Sequence, residues 1–307
     1  MRWARVGGVV LACLSAGLAG AYVLTRPVVL PQSALQPRTP DVANGERIFN
    51  AGGCASCHAT PGQEDRLRLG GGLALRTIFG TFRVPNISPD VRTGLGGWSE
   101  IAFANAMLHG TGRGGEHLYP SFPYTTYQRL ALDDVRDMLA FLRTLPAVEK
   151  PSEPHELALP FNVRLSLGVW KWLFVDGRRF VPDPGRDAEL NRGAYLVEAA
   201  AHCAECHSGR NALGGIDPAR RYAGGANAEG KGWIPNITQH ADGLPSWSVK
   251  DFEDFLTTGA NPDGYMVEGE MLAVIHNVSR LPGADRAAMA RYLKSLPPRP
   301  GKRPQGG

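Results

Sequence analysis

Polar and apolar positions divide the chain into one continuous apolar run, two similar sets of amphipathic segments, and a connector between the sets. After Arg2 and Arg5, residues 6–24 are uncharged and mostly apolar. The run just suffices to cross a bilayer, which takes ~20 residues, and exceeds the ~7–15 usual for the apolar part of a secretory signal. Residues 1–26 are therefore read as a retained signal anchor, with a cleaved signal peptide as the alternative because Ala16, Gly17, Ala19 and Gly20 permit cleavage. The basic flank holds the N-terminus in the cytoplasm and exports the remainder of the chain. Residues 27–40, with Pro27, Pro31, Pro37 and Pro40, predict an extended spacer.

Beyond the spacer the apolar spacing is helical. Short helices are predicted over 42–52 and 190–202, and further ones over Ser99–Leu108 and Ser248–Thr257. The latter two open on a serine cap with Glu100 or Asp251 in the first turn, and Gly110 and Gly259 stop them. Leu132–Leu145 and Ala284–Leu296 place apolar residues three and four apart and end before Pro146 and Pro297. No segment alternates as a strand does, so the fold class is all-α.

These segments repeat. Trp98-Ser99 returns as Trp247-Ser248, Phe103 as Phe252 and Gly110 as Gly259, each 149 positions on. Pro85-Asn86-Ile87-Ser88 returns as Pro235-Asn236-Ile237-Thr238, and Asp134, Met138, Leu142 and Leu145 match Asp285, Met289, Leu293 and Leu296 at a spacing of 151. An internal duplication is predicted, with domains over 41–148 and 187–307. The connector, 149–186, carries an amphipathic segment from Phe161 to Val175, interrupted by Arg164 and Lys171. It is read as a helix packed between the domains. A membrane-surface or partner-docking face using Trp170, Trp172 and Phe174 is the alternative.

Composition changes the picture little. Gly 38 and Pro 24 favour loop-rich domains, and a net charge of +4 without a dense basic cluster gives no reason to expect a nucleic-acid partner.

The cysteines change it most. Cys54-Ala55-Ser56-Cys57-His58 returns as Cys203-Ala204-Glu205-Cys206-His207, using four of five cysteines; the fifth, Cys13, lies in the apolar run. C-x-x-C-H is the attachment signature of a c-type haem. Two thiols a helical turn apart form thioethers to one porphyrin, and the adjacent histidine becomes the proximal iron ligand. A zinc ribbon brings its second hook within ~15–20 residues, whereas these hooks lie 149 apart. Thioredoxin-like motifs would want β-rich flanks, and disulfide scaffolds are shorter and richer in cysteine. Two covalent haem c groups are predicted, held by Cys54, Cys57, Cys203 and Cys206 with His58 and His207 on iron. Covalent attachment in bacteria is extracytoplasmic, in keeping with a periplasmic location anchored by residues 6–24.

With Asn191-Arg192-Gly193-Ala194-Tyr195-Leu196-Val197-Glu198 leading into the second motif, the two Pro-Asn-Ile-Ser/Thr segments, Leu118–Tyr124 and Tyr292–Pro298, the chain resembles the multihaem cytochrome c subunits of membrane-bound alcohol, gluconate and aldehyde-type periplasmic dehydrogenases. The likeness covers about residues 41–300. It implies two cytochrome-c-like domains that pass electrons from a molybdenum- or flavin-containing catalytic subunit to a quinone or another cytochrome, with no catalysis by the chain itself.

An electron-transfer haem of this kind has a second axial ligand, commonly methionine. Met266 and Met271 are candidates for the second haem, and the family's ligand position favours Met271. The same register puts Phe122 opposite Met271, and a phenyl ring cannot bind iron. His117, opposite Met266, is the expected distal ligand of the first haem, with Met107 as another candidate; Met138 and Met289 read as core. If no residue binds there, the first haem is open, and a two-haem periplasmic enzyme of peroxidase type becomes the competing function. A backbone carbonyl near Pro85 or Pro235 is a candidate acceptor for the proximal histidine Nδ1–H, while Asn86 and Asn236 either donate to a haem propionate or fix a turn.

Overall fold

A computed structural model of the protein describes residues 2–227 and 232–301. Helix α1 (Arg2–Thr25) is the apolar run, and from Val9 to Leu24 its apolar side chains are exposed. The first repeat follows as α2 (Val42–Ala51), α3 (Cys54–His58), a hairpin of β1 (Ala74–Thr77) and β2 (Gly80–Arg83), α4 (Glu100–His109), α5 (Tyr124–Tyr127) and α6 (Leu132–Leu142). The connector contributes β3 (Glu156–Leu157) and α7 (Ser166–Phe174). The second repeat runs α8 (Ala188–Tyr195), a π-helical turn at Leu196–Ala200, α9 (Cys203–Cys206), β4 (Gly225–Ala226), β5 (Trp233–Ile234), α10 (Val249–Thr258), α11 (Gly269–Val278) and α12 (Gly283–Lys294).

The fold is mainly helical, as expected, and the predicted caps are in place. Ser99 accepts from the Ala102 amide, Ser248 and Asp251 form a capping box, and Gly110 and Gly259 end α4 and α10 in left-handed backbone. The small antiparallel sheets were not expected. β1 pairs with β2 and β2 with β3, and β4 pairs with β5. The strands are two to four residues long, too short to leave an alternation in the sequence. The connector helix is also shorter than Phe161–Val175, because residues 158–163 form turns before Ser166.

Each repeat is closed by its first and last helices. In the first, α2 crosses α6 at Gly45, where a Cβ would stand 2.0 Å from the Asp137 carbonyl oxygen. In the second, α8 crosses α12 at Gly193, where a Cβ would stand 1.9 Å from the Ala288 carbonyl oxygen. Only glycine allows these backbones to meet. Gly193 lies 148 positions after Gly45, but Cys203 lies 149 after Cys54. The extra residue falls where the π turn at Leu196–Ala200 occurs, so it is absorbed as one wide turn and both the crossing and the haem motif keep their places.

The apolar core does not stop at the repeat boundary. Ile48, Phe49, Leu139, Leu196, Val197, Met289 and Leu293 belong to one contiguous buried cluster. Around it, Tyr195 of α8 hydrogen-bonds Asp134 of α6 and accepts from the Ala131 amide. The connector packs between the repeats. The Trp170 indole donates to the Leu213 carbonyl at 2.9 Å, and the buried Lys171 ammonium donates to the last carbonyls of α4, His109 and Gly110. Its other face leaves Leu165, Val169, Trp172 and Leu173 exposed. At Gly168, α7 meets the end of α1, where a Cβ would stand 2.3 Å from the Thr25 carbonyl oxygen.

Candidate functional site

The two haem motifs are built alike. Cys54 and Cys57 lie on α3, Cys203 and Cys206 on α9, and each motif's histidine follows at or just past the helix end. His58 Nδ1 is 2.8 Å from the Pro85 carbonyl and His207 Nδ1 is 2.9 Å from the Pro235 carbonyl. Each ring therefore donates its Nδ1–H to backbone, which fixes the tautomer and leaves the Nε2 lone pair for iron. Burial, opposed by the Pro85 carbonyl, lowers His58 to about 4, and burial, opposed by the Pro235 carbonyl, lowers His207 below the ordinary imidazole value. Both shifts favour the neutral imidazole that iron ligation requires. Burial in apolar surroundings pushes the Cys54 and Cys203 thiols up to about 12. Two thiols, an oriented neutral imidazole and an apolar wall in each repeat are the donor set of covalently held haem c.

The turn that supplies each carbonyl is held from behind. Asn86 Nδ2 donates to the Val148 and Lys150 carbonyls at 2.7 and 3.0 Å, and Asn236 Nδ2 donates to the Arg299 carbonyl at 2.8 Å. Each Asn Oδ1 accepts the amide two residues on, from Ser88 or Thr238. Of the two roles open to these asparagines, the structure gives them the turn. Gly71 and Gly224, both left-handed, return amides to the His58 and His207 carbonyls at 2.8 and 2.9 Å. Their only sign in the sequence is a run of glycines some way after each motif, Gly70-Gly71-Gly72 in the first repeat and Gly224-Gly225 in the second.

The distal candidates are not equivalent. Met271 lies in the first turn of α11, not in a loop, and packs half-buried against the shared core. Met266 is 58% exposed. Phe122 packs against Tyr127 with ring centroids 5.6 Å apart, and Tyr127 reaches the first motif by donating to the Gly52 carbonyl at 3.2 Å. His117 is buried beneath the connector, with Nε2 beside Gly168 and neither ring nitrogen hydrogen-bonded. Arg164 of the connector donates to its carbonyl at 2.7 Å. Met107, Met138 and Met289 are buried in the core cluster.

A reciprocal arrangement that no sequence motif announces joins the two haem motifs. Ser56 and Glu205 occupy the same place in the two pentapeptides. Ser56 Oγ donates to the Ala273 carbonyl at 3.1 Å and accepts from Asn277 Nδ2 at 2.7 Å, both on α11, the helix of Met271. Glu205 accepts from the Thr125 and Thr126 hydroxyls at 2.5 and 2.8 Å on α5, just past Phe122, and from Arg210 at 2.9 Å. Burial alone would raise the Glu205 pKa, but Arg210 and the two threonines outweigh it and hold the carboxyl below its ordinary value. Each haem motif is thus seated on the other repeat, the first on α11 and the second on α5.

The cytochrome c family profile matches residues 42–146 and 190–297, one match per repeat. The chain belongs to the cytochrome c family. It is a two-haem member with two covalently bound haem c groups, and its chemistry is electron transfer. It is 48% identical, over 97% of its length and 99% of the other protein's, to a diheme cytochrome c-type protein of Cereibacter sphaeroides. It is 37% identical to the fructose dehydrogenase cytochrome subunit of Gluconobacter japonicus, covering 91% of this chain and 57% of that one. It is 34% identical to the gluconate 2-dehydrogenase cytochrome c subunit of Pantoea cypripedii, covering 83% of this chain and 59% of that one. The chain spans little more than half the length of these two dehydrogenase subunits.

Proposed function

We propose that this protein is the electron-carrying subunit of a membrane-bound dehydrogenase, taking electrons from a molybdenum- or flavin-containing catalytic subunit and delivering them to a quinone or another cytochrome. The observation that carries the reading is the interlocking of two haem motifs in one continuous core, which suits a relay. The names of the fructose and gluconate dehydrogenase cytochrome subunits support the kind of partner. Bound haem supplies a one-electron couple; the chain holds each proximal imidazole neutral and aimed through Pro85 and Pro235.

In this reading Met271 is the distal ligand of the second haem. The first haem faces Phe122. We read its distal side as open, with His117, which the register offered as its ligand, packed against the connector. Helix α1 anchors the chain through residues 6–24 with the haem domains in the periplasm. The exposed Leu165, Val169, Trp172 and Leu173 on α7, packed against the end of α1, suit that side of the membrane.

Visible and electron paramagnetic resonance spectra of the full chain, with and without CO and peroxide, test the reading. One low-spin haem inert to CO, one high-spin haem that binds it, and no sustained peroxide consumption are expected. Sustained peroxide turnover would instead establish the peroxidase-type alternative. If detergent-solubilised membranes yield the chain with no flavin- or molybdenum-bearing subunit, the proposed partner is wrong.

A further inference from the structure

The residue before each haem motif has left-handed backbone: Gly53 at φ 59° and His202 at φ 43°. Glycine adopts this conformation freely, whereas in other residues the Cβ crowds the following carbonyl oxygen. Only His202 and Tyr222 carry it among the described non-glycine residues. The second repeat therefore keeps a side chain where the first uses glycine, which directs attention to what that side chain contacts.

The imidazole of His202 is buried and crosses the repeat boundary. Its Nε2 lies 3.1 Å from the Gly52 carbonyl oxygen, and its ring stands edge-on to Tyr127 with centroids 5.8 Å apart. Tyr127 donates to the same carbonyl at 3.2 Å. His202 is bonded directly to Cys203, and Gly52 is separated from Cys54 by Gly53 alone. A short chain of bonds thus runs from the Cys203 thioether position through the His202 ring and one hydrogen bond to the Gly52 peptide and the Cys54 thioether position. The other junction contacts, at Ser56 and Glu205, end on α11 and α5 and do not join the two attachment points.

We propose that His202 is the residue through which the two haems exchange electrons, a positioning residue whose Nε2–H···O=C bond to Gly52 couples the two attachment motifs. An electron crossing by this route leaves one haem oxidised and the other reduced; no covalent bond forms or breaks, and His202 ends in its starting protonation state. The inference rests on the electron-transfer reading and adds the internal path.

The test is flash-induced electron injection into the full haem-loaded chain, following re-equilibration between the haems by their separate absorption changes. No dehydrogenase partner is involved, so a wrong partner does not affect the result, and haems that accept no electrons would instead refute the electron-transfer reading. His202→Asn tolerates left-handed backbone but is too short to reach Gly52, and a severalfold slower inter-haem phase is expected with both midpoint potentials unchanged. His202→Gly, which copies Gly53, serves if the asparagine variant does not load haem, and the same slowing is expected. His202→Gln restores a donor of sufficient reach and should recover most of the rate. Tyr195→Phe removes hydrogen bonds across the repeat boundary that lie off the path and should leave the rate unchanged. An unaltered inter-haem rate in His202→Asn or His202→Gly, a glutamine variant as slow as asparagine, or equal slowing in Tyr195→Phe would each overturn the proposal.

Discussion

The proposed open side of the first haem turns on one residue. At the register where the second repeat has Met271, Phe122 presents a ring without a lone pair. Phe122→Met is expected to supply a thioether and convert the first haem from high to low spin, read as loss of CO binding and a higher midpoint potential. His117→Ala should leave the spin state as it is; a change would restore His117 as the ligand. Asp137 governs stability instead. Burial alone would raise its pKa, but hydrogen bonds from Arg38, Asn44 and the Asp41 amide hold the carboxyl below its ordinary value. A folded pKa below the unfolded value, near ~3.9, gives stability that is fully present above that pH and lost as pH falls through the folded pKa. Asp137→Asn should therefore unfold earlier in urea at neutral pH, by about 1–3 kcal/mol, and the gap should close below about pH 4. The attachment residues were legible because their chemistry is a local pattern in sequence. His202, Ser56 and Glu205 were not, since their partners across the repeat boundary lie 79 to 221 positions away and the residue types are common.

At the scale of elements, the repeats depend on glycine where helices cross. Gly45→Ala and Gly193→Ala each force a methyl group into the facing backbone. Each is expected to cost about 1–3 kcal/mol or more, seen as a lower thermal midpoint of the haem-loaded protein. Ser248→Ala removes the capping box of α10 at about 1 kcal/mol, a useful scale for comparison. Caps and stops were readable because they act within one turn. Helix α11 was missed: it starts at Gly269 with no side-chain cap, and β-branched Val274 and Ile275 lower its intrinsic helix preference. Its packing beside α3 supplies what propensity does not.

At the scale of the whole molecule, α1 is long and apolar enough to span a membrane, and its 24 residues carry no acidic side chain. Replacing residues 2–25 with a cleavable secretory signal, so that export and haem attachment are kept, is expected to move the haem-bearing protein from the membrane to the soluble fraction after cell breakage. If the shortened protein stays on membranes, the exposed face of α7 is a second attachment. The duplication was visible from spacing alone. That the copies share one core was not, because a sequence repeat says which residues correspond and nothing about which surfaces meet.

The mutual seating of each haem motif on the other repeat has a consequence for inheritance. A serine in one pentapeptide and a glutamate in the other are each fitted to threonines or to an asparagine across the boundary. The two halves have therefore ceased to be interchangeable modules. A chimaera that takes one half from a relative should assemble poorly unless the matching patch on the retained half is exchanged with it, so the halves are bound to drift together.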